Sequence, residues 1–308
     1  MTNQLSKNIL DILQCPQCGL IFGEGSNLTC NSCKTDYSYT LRGALDLRLK
    51  RPKKYPLTFE LGEDLPNQSN LDINPLEMNA TPEVDYSGVD MPHHMSQVTL
   101  SHLPAAQGPK SLALDLGCGP KRHKEICQHA GFEYVGVDLD ASQSATILGN
   151  AQSLPFKDNS FELIVSIAVL EHIRFPFVAM QEVYRVLKPN GRFLGTVAFN
   201  WPFHGDSFYH CTHLGTINLL EFAGFNINDI SASKRSVIMG HARGLFPRMP
   251  PAIAYTLAYP LLALHKTWYQ LESLLTTGNL HNKETVRLQN HTSGFSFIAS
   301  KESSHIGS

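Results

Sequence analysis

LDLGCGP, residues 114–120, closes an apolar run and turns it through Gly-x-Gly. A strand that enters a helix through such a turn lets the backbone approach a ligand closely and presents helix N–H groups to an anion. Many cofactor folds share this feature, so its neighbours decide the reading. A dinucleotide fingerprint asks for a third glycine at 122, where Arg122 stands. Asp115, two residues before the first glycine, is unusual for a dehydrogenase strand and suited to holding a cation. The next strand ends in VGVDLD, which puts Asp138 nineteen residues after Gly119. A carboxylate at that place can accept hydrogen bonds from both ribose hydroxyls.

From Ser111 onward, strand-like and helix-like segments alternate, the pattern of a parallel sheet with helices on both faces. The expected order is strand SLALDL, helix from about Lys121, strand YVGVD, a short helix, and strand FELIVSIAV. Helix PFVAMQEVYRVL and strand GRFLGTVAF follow, with one more short strand near Ala151–Leu154. HTSGFSFIASK (291–301) reads as a returning last strand.

LDLGCGP, VGVD, NAQSLPFKDNSFELIVS, VLEHI and RVLKPNGRF, in this order and spacing, resemble the class I S-adenosylmethionine-dependent methyltransferases of the type 11 group. The resemblance covers about 111–199 and implies a Rossmann-like methyltransferase sheet with S-adenosylmethionine as cofactor. It further implies that Gly117, Cys118 and Gly119 line the methionine end, with Asp115 near the amino group. Asp138 would take the ribose, with Leu139 on the adenine face and Asn150 and Ala151 at its edge. Ser166 would lie under the sulfonium. The family often has glycine where Lys121 stands and aspartate where Asn150 stands; an amide oxygen can still accept from the adenine amine. In this family the returning last strand is antiparallel.

Methyl transfer is an in-line displacement, so the enzyme must align the acceptor and, for a hydroxyl or amine, take up a proton. Glu171 and His172 fall just after the fourth strand, beside the acceptor in related enzymes. FHGDSFYHCTH (203–213) follows strand GRFLGTVAF and falls at the same carboxyl edge. His204 and His210 are its candidate bases and Asp206 could orient one of them; polar loop filler and a His210–His213 metal site are the rival readings. Thr212 is the expected N-cap of helix HLGTINLLEFAGF.

Upstream, Cys15-Pro-Gln-Cys18 and Cys30-Asn-Ser-Cys33 form two C-x2-C knuckles eleven residues apart. Two such turns complete a tetrahedral four-thiolate shell for a structural zinc, with no open position for catalysis. Gly19 follows the first knuckle, where the turn favours φ > 0. With ILDIL before and YSYTLRGALDL after, residues 1–50 resemble the small Trm112-like zinc-ribbon domains, which implies a docking or scaffold role toward a protein partner. Residues 51–104 read as a connector and lead-in helix. Six prolines fall within 51–92, and 57–92 hold eight acidic residues and no Lys or Arg. The catalytic domain is expected over 105–308, with an acceptor-side insertion at about 200–285.

The whole 308-residue chain is 42% apolar and nearly neutral, with 25 Lys+Arg against 27 Asp+Glu. That balance weighs against a surface built for phosphate backbones. No signal peptide or membrane-length apolar run is visible, which makes the cytoplasm the expected place. The sixteen uncharged residues 249–264 are too short to span a bilayer. They read as a helix over the acceptor pocket or as a peripheral membrane contact. The function expected is methyl transfer to a small-molecule or glycan-type acceptor, at oxygen. The rivals are a ribosomal RNA guanine-type methyltransferase, with Arg42, Arg48, Lys50, Arg51, Lys53 and Lys54 as a basic edge, and a non-catalytic scaffold.

Overall fold

A computed structural model describes residues 5–22, 28–59, 80–92, 95–120, 122–141, 145–201, 205–232, 240–242, 244–275, 287 and 290–303. The strands are β1 (Ser38–Tyr39), β2 (Leu45–Asp46), β3 (Leu112–Leu116), β4 (Glu133–Asp138), β5 (Ile147–Leu148), β6 (Phe161–Ile167), β7 (Leu187–Ala198), β8 (Asn226–Ala232) and β9 (Gly294–Ser300). The helices are α1 (Lys7–Asp11), α2 (Gln97–Ser101), α3 (Lys124–His129), α4 (Pro176–Val186), α5 (His213–Ala223) and α6 (Pro251–Leu275). Among the described residues, nine strands form one sheet in the order β1-β2-β5-β4-β3-β6-β7-β9-β8. Parallel pairing runs from β2 to β7, and β9 lies antiparallel between β7 and β8. This is a Rossmann-like α/β sheet whose strand order reverses between β3 and β6. Open sheets of this type bind ligands beyond the carboxyl ends of the strands at that reversal.

The period of two along each strand feeds two cores. Leu112, Leu114 and Leu116 on β3 and Val135 and Val137 on β4 face one core, together with Met180 and Val183 of α4 and Leu220 of α5. Ala113, Tyr134, Leu163 and Val165 face the other, with Leu100, Ile126 and Cys127. Thr212 caps α5 by accepting from the Gly215 N–H at 3.0 Å, and Gly224 ends the helix in the left-handed region at φ 96°.

Several boundaries differ from the sequence reading. The cysteine-rich segment packs onto the sheet. β2 pairs in parallel with β5 at the sheet edge, and Leu13, Leu45 and Leu47 are buried in the first core. The short strand after β4 lies at Ile147–Leu148, not Ala151–Leu154, which form a turn closed by an Asn150–Ser153 bridge. Among the described residues, no helix stands between β4 and β5. The second half of the connector lies against the second core through Val84, Tyr86, Val89 and Met91. α6 continues through Pro260 for 25 residues.

Candidate functional site

Three loops meet at the carboxyl ends of β3, β4 and β6. Gly117 and Gly119 have φ of 68° and 49°, conformations that strain any L side chain. A Cβ on Gly117 would lie 2.5 Å from Val169 Cγ2, so the glycine lets the residue after β6 close against the loop. At Gly119 the same Cβ would meet open space, which leaves this backbone approachable. Asp138 Oδ2 accepts from the Gly119 N–H at 2.9 Å and Oδ1 from the Asp140 N–H at 2.9 Å. A carboxylate offers about four lone-pair sites, so both oxygens keep capacity for a pair of ligand hydroxyls. Leu139 follows, 57% exposed. Across the cradle, Ala168 sits at φ 55°, a strained non-glycine conformation at the mouth of β6, with its N–H on Thr196.

The remaining residues expected at the cofactor fall at different depths. Asp115 is fully buried; its Oδ1 lies 3.0 Å from His123 Nδ1 and its Oδ2 accepts from the Tyr134 hydroxyl at 2.6 Å. Its charge therefore acts from inside the wall, with both oxygens engaged. Burial first, then the Asp115 charge, pushes the Tyr134 phenol well above its ordinary range. Cys118 is buried and Ser166 is fully buried, so neither offers an exposed side chain. Asn150 and Ala151 stand on the turn after β5, where Asn150 Oδ1 accepts from the Gln152 N–H at 2.9 Å. His123 and Tyr134 escaped the sequence reading, since a single histidine and tyrosine carry no spacing signal.

On the acceptor side, β6 runs into a 3-10 turn, Leu170–His172. Glu171 is fully buried, and Oε1 accepts from the Ala198 N–H at 3.3 Å. Burial raises its carboxyl pKa. Its backbone carbonyl accepts from the N–H groups of Phe208 (2.7 Å) and Tyr209 (3.2 Å), while the Cys211 N–H reaches the Ala198 carbonyl at 2.9 Å. The 205–212 loop is thereby tied to the ends of β6 and β7. His172 and His210 are exposed on either side of this junction. His204 lies outside the described residues. Among those described, His210, His213 and Asp206 do not form a metal-ligand cluster.

One such cluster does exist. The Sγ atoms of Cys15, Cys18, Cys30 and Cys33 lie within 4.8 Å of one another. Cys15–Cys33 and Cys18–Cys30 separations are 3.6 and 3.5 Å. Zn–S bonds of about 2.3 Å in a tetrahedron place sulfurs about 3.7 Å apart, so the donor set fits zinc. Burial pushes the Cys15 thiol up to about 12, whereas the Thr35 hydroxyl holds Cys33 down at about 6. A buried thiolate at Cys15 needs a neighbouring cation to be stable. Gly19 and Lys34, each just after a knuckle, both have positive φ (79° and 54°).

Four of the six residues of the basic edge near this centre have partners within the chain. Arg48 and Lys50 pair with Asp46, Arg51 donates to Thr35 and the Cys33 carbonyl, and Lys53 donates to the Pro16 carbonyl and Ser153. A separate concavity lined by Thr81, His102, Arg192 and Ser300 lies at the amino ends of the parallel strands, away from the cradle.

The chain is similar in part to several known proteins. The human mitochondrial arginine-hydroxylase NDUFAF5 is 32% identical over 112 residues, covering 32% of this chain and 30% of its own length. The chain thus aligns with about a third of that relative. An S-adenosylmethionine-dependent methyltransferase from Mesorhizobium loti has a TM-score of 0.42 at 15% identity, covering 66% of this chain and 95% of its own. A complex of the Haloferax volcanii Trm112 methyltransferase activator with a methyltransferase has a TM-score of 0.45 at 15% identity, covering 68% and 90%. Residues 114–195, which run from β3 to β7 and build the cradle, match the methyltransferase domain family.

Proposed function

We propose that the protein transfers a methyl group from S-adenosylmethionine to a small-molecule or glycan-type acceptor, at oxygen, and that the four cysteines hold a structural zinc. The observation that carries the reading is the Asp138–Gly119 junction, where one carboxylate orders the glycine loop and keeps lone pairs for ribose. The match over 114–195 supports it. When bound, the cofactor supplies a methyl group already activated by its sulfonium. The chain's own work is then positional. Gly117 and Gly119 shape the cradle, Asp138 and Leu139 orient the nucleoside, and the 205–212 loop and His172 turn align the acceptor and take up its proton.

Asp138→Ala removes two backbone anchors and the ribose acceptor together. S-adenosylmethionine affinity should fall by about one to two decades, the equivalent of roughly 1.5–3 kcal/mol for charge-assisted hydrogen bonds. Calorimetric titration checks this, and an unchanged dissociation constant would place the cofactor elsewhere. Labelled cofactor added to RNA, lipid and small-molecule fractions identifies the acceptor class. The human relative is named a hydroxylase, so the product mass must show an added methylene and not an added oxygen. The internal engagement of Arg48, Lys50, Arg51 and Lys53 weighs against an RNA acceptor.

α6 favours a peripheral membrane contact for the acceptor side. Ala254 and Ala258 are buried, while Ile253, Leu257, Leu261, Leu264, Trp268 and Leu271 form an exposed stripe at three- and four-residue spacing. No helix among the described residues is long and apolar enough to cross a membrane. Such a stripe can instead lie in the headgroup region. The protein should co-sediment with phosphatidylcholine–phosphatidylglycerol vesicles, and a Leu264→Glu, Trp268→Glu variant should stay in the supernatant. Equal binding by both would remove α6 from the contact.

A further inference from the structure

The cysteine knuckle is joined to the candidate cofactor cradle by a closed set of hydrogen bonds. Pro16 sits inside Cys15-Pro-Gln-Cys18 and has no N–H, so its carbonyl is its one backbone hydrogen-bonding group. That carbonyl accepts from Ser153 Oγ at 2.8 Å and from Lys53 Nζ at 2.9 Å. Lys53 Nζ also donates to Ser153 Oγ at 2.9 Å, which completes a triangle. Ser153 is 1% exposed, and its N–H donates to the Asn150 carbonyl at 2.9 Å. This closes the turn whose first residue is Asn150. On either side, the Gln14 N–H reaches the Pro155 carbonyl at 3.0 Å and the Lys157 N–H reaches the Ile12 carbonyl at 2.8 Å. The 153–157 segment therefore lies against residues that precede or belong to the first knuckle.

A second strap acts on the neighbouring loop. β2 carries Asp46, which fixes the Arg48 guanidinium through Nε (2.9 Å) and Nη2 (2.8 Å). Arg48 Nη1 in turn reaches the Leu139 carbonyl at 3.5 Å. Both loops expected to hold the adenine, after β4 and after β5, are thus held from the cysteine-rich segment.

We propose that Ser153 and Lys53 are positioning residues that couple the metal state of the four-cysteine knuckle to the affinity of the cradle for S-adenosylmethionine. The inference rests on the cofactor reading above. A tetrahedral metal fixes the Pro16 carbonyl, because both flanking cysteines are ligands. Without the metal, four sulfurs that lie within 4.8 Å of one another lose the charge that holds them together, and the carbonyl is no longer fixed. Ser153 then keeps its burial but loses its acceptor, and the Asn150 turn loses one of its anchors. Lys53 is an exposed residue of the connector, and its ammonium still bonds to both Pro16 and Ser153.

The test uses the full-length, zinc-loaded protein and calorimetric titration of S-adenosylmethionine. Ser153→Ala and Lys53→Met should each raise the dissociation constant about fivefold to tenfold, with zinc content and far-UV circular dichroism unchanged. Lys53→Arg, which keeps a donor, should restore most of the affinity. Removing zinc with a chelator should weaken binding in the wild type, and by a smaller factor in the Ser153→Ala, Lys53→Met double variant. Equal weakening in both would overturn the route through the triangle, as would unchanged affinity in both single variants. If the zinc-loaded wild type itself binds no S-adenosylmethionine, the cofactor reading fails and this inference goes with it.

Discussion

Replacing His172 and His210 together by alanine will lower methyl-transfer turnover by about 10²–10⁴-fold while leaving S-adenosylmethionine affinity nearly unchanged. The expectation follows from where the candidate bases stand. Glu171 is fully buried and its Oε1 accepts from the Ala198 N–H, whereas the two histidines are exposed. Its backbone carbonyl, however, gathers the Phe208 and Tyr209 N–H groups, which brings the 205–212 loop beside the turn that carries His172. His172 and His210 are exposed on the two sides of that junction. Each can offer an imidazole nitrogen to an acceptor hydroxyl, whose proton must leave as the oxygen–carbon bond forms. The single variants separate the roles: the base lowers kcat, whereas a residue that only orients the acceptor raises KM. Turnover is read with saturating cofactor on the fraction that accepts label. Full activity in the double variant would move the proton transfer to His204.

On the proposal that the four cysteines hold zinc, Cys15→Ser should lower the zinc content of the protein and its melting temperature by on the order of 10 °C or more. A serine hydroxyl is not deprotonated near neutral pH and does not replace a thiolate, so the shell falls to three ligands. Structural zinc sites contribute about 10–16 kcal/mol in isolated zinc-finger peptides, far more than an ordinary side-chain contact. Here the loss spreads beyond the knuckles. Ile9, Leu13, Leu45 and Leu47 are buried in the same core as β3, β4 and α4, and β2 is paired to β5. Elemental analysis and differential scanning calorimetry check both halves of the expectation. A variant that keeps one zinc per chain and melts normally would show that Cys15 is not a ligand.

The parts of this protein written in local pattern were legible in the sequence. Continuous apolar runs mark β3, β4, β6 and β7, because a strand buried on both faces needs apolar residues at successive positions. Thr212 marks the start of α5, since a side-chain oxygen is what a helix N-terminus requires; the helix ends at Ala223 and not at Phe225, because Gly224 turns left-handed. The paired cysteines announced their cluster through spacing alone, as two-residue turns converge their sulfurs whatever surrounds them. β9 was visible as a strand, and its antiparallel place followed from family resemblance.

What only the tertiary structure decided concerns groups that meet across long separations. Nothing local marks Ser153 as the partner of Pro16, 137 residues away, or Tyr134 and His123 as the partners of Asp115. That Glu171 is buried, with its side chain turned toward the Ala198 N–H, is likewise set by the turn after β6 and not by its neighbours in sequence. The cysteine-rich segment reads as a separate ribbon, yet two residues of β2 extend the sheet. An edge strand is short, and its pairing partner is set by which edge stays open and not by its own residues. Hydrogen-bond partners and sheet edges depend on the whole chain's path, and periodicity and capping chemistry carry no information about that path.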